Sequence, residues 1–151
     1  LAATALPKFA SLSGEARLAS LNAAKGALSA TSAMTHGKWL VAPSAKIAVE
    51  GTDVTMNATS GYPSVTPATA GNLAIAAGLS LTDYTVFTRG NLGANRPAVG
   101  ANEFAVVPAS VVGTKTAATC FVLYSASIAA NTAPTITVGS PTNRAAVSAC
   151  E

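Results

Sequence analysis

Hydrophobic positions in the first part of the chain follow a helical spacing. Residues 1–35 are dominated by alanine, leucine and serine, and alanine and leucine are among the strongest helix formers. Apolar side chains recur there at steps of three and four residues, at Leu18, Leu21, Ala24 and Leu28. Such steps place them on one stripe of a helix. We predict one amphipathic helix over 1–35, with this stripe buried, that ends at His36 and Gly37 because glycine often follows a last turn.

Three residues interrupt the helical pattern. Pro7 lacks a backbone N–H and its ring crowds the preceding turn, so a kink is expected there. Gly14 and Gly26 are expected to loosen the helix further, because glycine is a weak helix former.

The middle of the chain reads mainly as loop. Residues 37–70 are rich in Gly, Pro, Ser and Thr, but the alternation within 46–55 predicts a short hairpin. A short helix is predicted over 69–81, weakly capped by Thr69. Residues 88–101 are again predicted as loop.

The last third carries strand patterns. The predicted strands are 104–112, 119–127, 134–139 and a short fourth at 144–150. Pro108 interrupts the first of them, which favours an edge strand or a bulge. The turn residues between the strands fit an antiparallel meander. The predicted fold class is therefore α+β, with a long N-terminal helix on a C-terminal antiparallel sheet of about four strands.

Composition narrows the function. Charged residues make up 10% of the 151 residues and aromatics 5%, against about 25% charged residues in typical soluble domains. A surface of hydroxyls and amides suits an extracellular protein or one that buries much surface in an assembly. The nine basic residues are scattered along the sequence, so no specific nucleic-acid partner is expected. The sequence contains no run of about 20 apolar residues, so it predicts no membrane-spanning helix.

Two cysteines, Cys120 and Cys150, stand in a chain rich in Ser and Thr. We expect one structural disulfide from an oxidising compartment, in preference to two free thiols. We also expect the segment 144–150 to lie against the strand that holds Cys120, because a disulfide limits the distance between the two Cα atoms. A metal site is not expected, because His36 is the only histidine and no cysteine is near it in sequence.

No pattern of catalytic residues is recognisable. The carboxylates of Glu50, Asp53, Asp83 and Glu103 match no calcium-loop spacing, so we interpret them as solvated. The glycine-rich stretch 90–93 lacks the Gly-Lys-Ser/Thr of a phosphate loop. We therefore expect neither catalytic machinery nor a bound cofactor.

The two ends of the chain resemble a known family. The first nine residues, Leu-Ala-Ala-Thr-Ala-Leu-Pro-Lys-Phe, are similar to the second half of the N-terminal helix of type IV pilins, with Pro7 at the helix-kinking proline. Residues 12–17 are similar to the continuation in the mannose-sensitive-haemagglutinin branch of that family. The C-terminal part resembles the closing sheet and disulfide-bounded loop of that branch, through Cys120, Val122, Tyr124, Pro134, Ile136 and the final cysteine.

The resemblance implies a structural subunit of an extracellular filament, and no enzyme. Its partners would be identical subunits and the pilus assembly machinery, and it would contact a membrane only before assembly, through an N-terminal segment upstream of this sequence. Residues 1–13 would project as filament-core helix, with contacts from Leu1, Ala5, Leu6, Pro7, Phe9 and Leu12. Residues 14–151 would form the globular pilin domain, with helix 14–35 packed on the sheet through Leu18, Leu21 and Leu28, a variable loop 37–102, and a sheet and disulfide-bounded region 103–151.

Two other function classes are kept as alternatives. A type II secretion pseudopilin has a similar helix, but such proteins typically use a calcium site and lack the C-terminal disulfide. A secreted hydrolase or carbohydrate-binding module would need convergent catalytic groups or several exposed aromatic rings. One histidine, six carboxylates and one tryptophan make that class poorly supported.

Overall fold

The computed structural model describes the backbone of residues 2–139 and 147–151, and the side chains of 13–139 and 147–151. The chain is α+β: a long N-terminal helix is followed by a two-stranded hairpin, a short helix and a four-stranded antiparallel sheet. The helices and strands are α1 (Ala2–Val41), β1 (Lys46–Val49), β2 (Thr52–Thr55), α2 (Ala70–Ala76), β3 (Tyr84–Thr88), β4 (Glu103–Pro108), β5 (Val122–Ser125) and β6 (Thr135–Val138). The described part of the chain also has three short 3-10 helices, at Ala109–Val111, Lys115–Ala118 and Val147–Ala149.

The first helix is longer than its sequence pattern predicts. The predicted end at His36 and Gly37 is wrong, because α1 continues to Val41. Gly37 weakens the helix by about 1 kcal/mol relative to alanine, but His36 and Trp39 hold the last turns through contacts with the segment around residue 61. The helix also runs through positions 7, 14 and 26 without an interruption.

The hairpin and the second helix lie close to their predicted positions. Strands β1 and β2 pair antiparallel around Glu50 and Gly51, which both have positive φ and form the tight turn. Helix α2 ends at Ala76, so the predicted extension to residue 81 is wrong. Gly78 has φ +81°, and the N–H groups of Gly78 and Leu79 return to carbonyls of the last turn, which is a glycine stop signal.

The main sheet is a meander in the order β3-β4-β5-β6, with every neighbouring pair antiparallel. Strand β3 lies inside the region 37–102, which was expected to be a variable loop. The sheet therefore begins earlier in the sequence than residue 103, where it was expected to start. Strand β4 is central and not an edge strand. Pro108 is its last residue and lies beyond the pairing with β5, which ends at Val106, so its missing N–H breaks no bond on that side.

Both faces of this sheet are covered. On the inner face, Phe104, Val106, Val122 and Tyr124 belong to the core that α1 closes. On the outer face, Phe87, Ala105, Val107 and Leu123 pack against residues of two non-strand segments, at Val99, Val111, Ala117 and Phe121. Alternate residues of each strand therefore serve two separate cores, as the two-residue repeat of a strand requires.

The C-terminal segment is organised differently from the prediction. Residues 140–146 lie outside the described part of the chain, so the predicted strand 144–150 can be judged only at its end. There Val147–Ala149 form a 3-10 helix, not a strand. Cys120 precedes β5 and does not lie within it.

Candidate functional site: the two faces of the long helix and its C-terminal clasp

One face of α1 is buried against the sheet of the same chain. Leu21, Ala24 and Leu28 are 0%, 1% and 0% exposed, and the helix contacts β4, β5 and β6. Leu18, also predicted in this stripe, is only half-buried. The apolar stripe therefore begins at Leu21, one turn later than predicted.

The buried stripe becomes polar toward the end of the helix. It continues through Thr31, Ser32 and Thr35, which are 7%, 2% and 0% exposed. The Thr35 hydroxyl donates to the Thr31 carbonyl oxygen at 2.9 Å, so its burial leaves no unmet hydrogen bond. Hydrophobic periodicity did not identify these positions, because their side chains are polar.

The opposite face of α1 is exposed and carries only small residues along one row. The row runs at alternating steps of three and four residues through Ala16, Ala19, Ala23, Gly26, Ala30, Ala33 and Gly37, and every member is exposed. A side chain added at Gly26 or Gly37 would meet no atom within 4 Å. We call this row the small-residue row. Alternating steps of three and four are the heptad spacing along which one helix contacts another.

Residues expected in filament assembly precede this row. The side chains of Leu1, Ala5, Leu6, Pro7, Phe9 and Leu12 lie outside the described part of the chain, so their contacts stay a prediction. The backbone of residues 2–12 is helical and continuous with the rest of α1.

A disulfide closes the C-terminal segment. Cys120 and Cys150 are joined with an S–S distance of 2.08 Å and a Cα–Cα distance of 4.8 Å. The hydroxyl of Thr119 donates to the Ala149 carbonyl at 2.8 Å, and that of Thr116 to the Glu151 carbonyl at 2.7 Å. The last residues are therefore fixed on both sides of the bridge to the segment before β5.

The same C-terminal segment also grips α1. The Arg17 guanidinium donates to the Cys150 carbonyl at 2.6 Å. At Gly14, a Cβ atom would come within 2.8 Å of both the Val147 carbonyl oxygen and Cγ of Glu151. Glycine at position 14 thus permits a close approach, where its sequence context indicated only a weak point in the helix. We call residues 147–151 with their contacts to Gly14 and Arg17 the C-terminal clasp.

The other end of α1 is fixed by aromatic rings. His36 stacks on Tyr62 with ring centroids 3.8 Å apart, and its Nδ1 lies 2.7 Å from the Gly61 carbonyl, to which it donates. Trp39 covers Gly61 so closely that a Cβ there would lie 2.5 Å from a ring carbon. The only histidine is therefore a structural contact between α1 and the turn after β2.

Burial changes the acidity of one tyrosine. Tyr124 is 0% exposed between α1 and the sheet, and its hydroxyl donates to the Pro63 carbonyl at 3.2 Å. Loss of solvation raises the pKa of Tyr124 well above its ordinary value of 10.0. The group is therefore a neutral hydrogen-bond donor at physiological pH.

The carboxylates singled out in the sequence have separate surroundings. Asp53 lies 3.9 Å from Lys46 on the exposed hairpin, while Glu103 accepts from the Gly100 N–H and the Ser125 hydroxyl. Asp83 lines an open cleft of about 450 Å³, shared with Arg17. Within the described ranges, no three His, Cys, Asp or Glu side chains are grouped so that they could hold a metal ion.

No helix in the described part of the chain is long and apolar enough to cross a membrane. Comparisons with protein-family models, with curated proteins and with solved structures gave no match.

Proposed function

We propose that this chain is a structural subunit of an extracellular filament of the type IV pilus kind, assembled from identical copies. The fold supports this proposal in outline, because a long helix on an antiparallel meander is the layout expected for a pilin domain. The resemblance at residues 1–17 and around the two cysteines gives the proposal its family. Adhesion, motility and DNA uptake are the activities such a filament would support.

The observation that carries the proposal is the contrast between the two faces of α1. One face is buried in its own domain, and the other presents the small-residue row to solvent over 22 residues, from Ala16 to Gly37. Small side chains let a second helix approach closely, to an interaxial distance near 8 Å. In the sequence, the same steps of three and four reach back from Ala16 through Leu12, Phe9 and Ala5. A helix of 40 residues is about 60 Å long. This length is enough for it to pack on its own sheet and also to contact helices of neighbouring subunits.

The clasp supports the same proposal from the other side. It ties the C-terminal segment to α1 at Gly14 and Arg17, close to where the N-terminal part of the helix, residues 1–13, ends. A domain held firmly at this point would transmit load between its sheet and the helix that joins the filament.

The proposal is tested in the organism that makes the protein. Deleting the gene should remove surface filaments in negative-stain electron microscopy, and a plasmid copy should restore them. Filaments sheared from the wild type should contain this chain as a main component. Unchanged filaments in the deletion strain would contradict the proposal. Loss of protein secretion with surface filaments intact would favour the pseudopilin alternative.

Two neighbouring substitutions test the helix row itself. Ala23→Leu places a large side chain in the small-residue row, whereas Asn22→Leu places the same side chain one position away, also on the exposed surface. We expect both variants to fold with unchanged thermal stability, and only Ala23→Leu to lose filaments. Equal filament yields from the two variants would remove the role of the row.

A further inference from the structure

Both sulfur atoms of the disulfide are enclosed in the folded domain. Cys120 and Cys150 are each 0% exposed, and both belong to the inner core together with Leu21, Ala24 and Leu28 of α1. The outer core is built from other residues. Thiol–disulfide exchange begins when a further sulfur reaches one of the two bonded atoms, and the closed domain leaves no path for such an attack.

Helix α1 forms one side of this enclosure. The Arg17 guanidinium donates to the Cys150 carbonyl at 2.6 Å, and Gly14 allows the helix backbone to lie directly against Val147. These contacts place α1 across the segment that carries Cys150. Undocking of α1 from the sheet would therefore open this side of the bridge, whereas loosening of the outer core would leave it closed.

The contacts that bring the two cysteines together lie in the last third of the chain. Strands β5 and β6 pair with each other, and the Thr119 and Thr116 hydroxyls donate to the carbonyls of Ala149 and Glu151. The two cysteines are 30 positions apart, but the hydrogen bond from α1 to Cys150 spans 133 positions. Contacts between residues close in sequence close smaller loops and form earlier in folding. The pairing of the cysteines can therefore precede the docking of α1.

We propose that the Cys120–Cys150 bond forms before α1 docks, when a thiol–disulfide oxidoreductase can still reach both thiols, and that α1 then covers it. One cysteine thiolate of the chain attacks the disulfide of the oxidoreductase, forms a mixed disulfide and displaces one thiolate of that protein. The second cysteine thiolate attacks the chain's sulfur in the mixed disulfide, which closes the bond and displaces the second thiolate. The chain loses two electrons, the oxidoreductase disulfide becomes a dithiol, and the two thiol protons pass to the displaced thiolates. This order does not depend on filament assembly.

The first measurement is the rate at which dithiothreitol reduces the folded, oxidised chain, followed by thiol labelling and mass spectrometry. The reductant is kept in the range where the rate is proportional to its concentration, so that the rate reports the population of the open form. Leu21→Ala removes a contact between α1 and the sheet, and it should accelerate reduction about thirtyfold or more, the factor expected for the loss of a buried leucine. The wild-type chain should be reduced much more slowly than the same chain in concentrated urea.

Leu123→Ala is the matched control, because it makes the same substitution at a residue of the outer core. The outer core stays packed when only α1 opens, so this variant should be reduced at a rate within about twofold of the wild type. Circular dichroism and urea unfolding check that both variants are folded and that both are destabilised.

The second measurement follows the order of the two steps directly. The reduced chain is refolded from urea, and oxidised protein disulfide isomerase is present from the start or is added after the far-ultraviolet signal has become constant. Oxidation should be at least about tenfold slower after the delayed addition, because buried thiols are unreactive. A reduced chain that does not fold at all supports the same order, because oxidation then has to come first.

Three outcomes would overturn the proposal. Equal acceleration of reduction by Leu21→Ala and Leu123→Ala would mean that the bridge opens only by global unfolding. An unchanged reduction rate in Leu21→Ala would mean that the sulfur atoms are reached with α1 in place. Equal oxidation rates after immediate and delayed addition to a reduced chain that has folded would show that docking of α1 sets no order.

Discussion

Two glycines of the same helix should respond in opposite ways to the same substitution. Gly14 and Gly26 both lie inside α1, and alanine at either position improves the helix propensity by about 1 kcal/mol. Gly26 has open space around it, so Gly26→Ala should raise the free energy of unfolding by about that amount. Gly14 lies against the C-terminal clasp, so the same methyl group there meets atoms that must move.

The structure indicates how much Gly14→Ala should cost. The new Cβ would lie 2.8 Å from Cγ of Glu151, the flexible part of a side chain, and 2.8 Å from the Val147 carbonyl oxygen, which belongs to the backbone. The glutamate can move away at little cost. The Val147 carbonyl also accepts from the Cys150 N–H at 3.0 Å, and the disulfide holds Cys150 in place. Overpacking of this kind costs about 1–3 kcal/mol, so it offsets or exceeds the helix gain.

Urea denaturation of the two variants provides the measurement. We expect Gly26→Ala to be more stable than Gly14→Ala by about 1–3 kcal/mol, which corresponds to a difference of roughly 1 M in the urea midpoint. Combining each change with Cys120→Ala and Cys150→Ala completes a cycle. Without the bridge the clasp can move away from α1, so the difference between the two glycine positions should shrink.

The reasoning fails if both alanine variants are stabilised equally in the oxidised protein. That result would mean that residues 147–151 do not press against α1 at Gly14. A gap between the glycine positions that persisted unchanged without the disulfide would refute the role of the bridge in holding the clasp.

Two further predictions concern the core. Leu21→Ala should lower the free energy of unfolding by about 2–5 kcal/mol, because Leu21 is fully buried between α1 and the sheet. Leu40→Ala, at an exposed position, should change it by less than about 0.5 kcal/mol. Equal effects of the two substitutions in chemical denaturation would contradict the burial of this face. The raised pKa of Tyr124 means that the unfolded chain loses this proton first, so its contribution to stability is complete below about pH 10 and declines above it. Removal of the hydroxyl by Tyr124→Phe should flatten this alkaline decline in thermal unfolding, and an unchanged decline would assign it to other groups.

Local patterns predicted the elements whose signals lie within a few residues. The buried stripe at Leu21, Ala24 and Leu28 follows from helical periodicity alone, and the hairpin around Gly51 follows from turn chemistry. Strand β6 has alternating residues next to Pro134 and Gly139 that mark its ends. In each case the sequence neighbours that set the conformation are also the spatial neighbours.

Contacts between distant residues explain what the sequence did not reveal. Gly14 looks like a weak point of a helix until Val147 is placed against it, and no local rule connects these two positions. Helix α1 passes Gly37 because His36 and Trp39 hold the last turns against Gly61. Strand β3 had a usable signal in its run of aromatic and β-branched residues, which the polar segments on both sides obscured. The cover of the outer sheet face consists of non-strand segments, for which no periodicity exists.

The spacing of the small-residue row also has a geometric consequence for any helix that lies along it. A straight α-helix has 3.6 residues per turn, so a row repeating every 3.5 residues drifts around the helix by about 20° per heptad. From Ala16 to Gly37 the row covers three heptads, and it therefore turns through about 60°. A partner that stays in contact with every member must follow this drift and wind around α1 with a left-handed sense, at a crossing angle near +20°. The spacing of alanine and glycine along a single helix therefore determines the handedness of the winding.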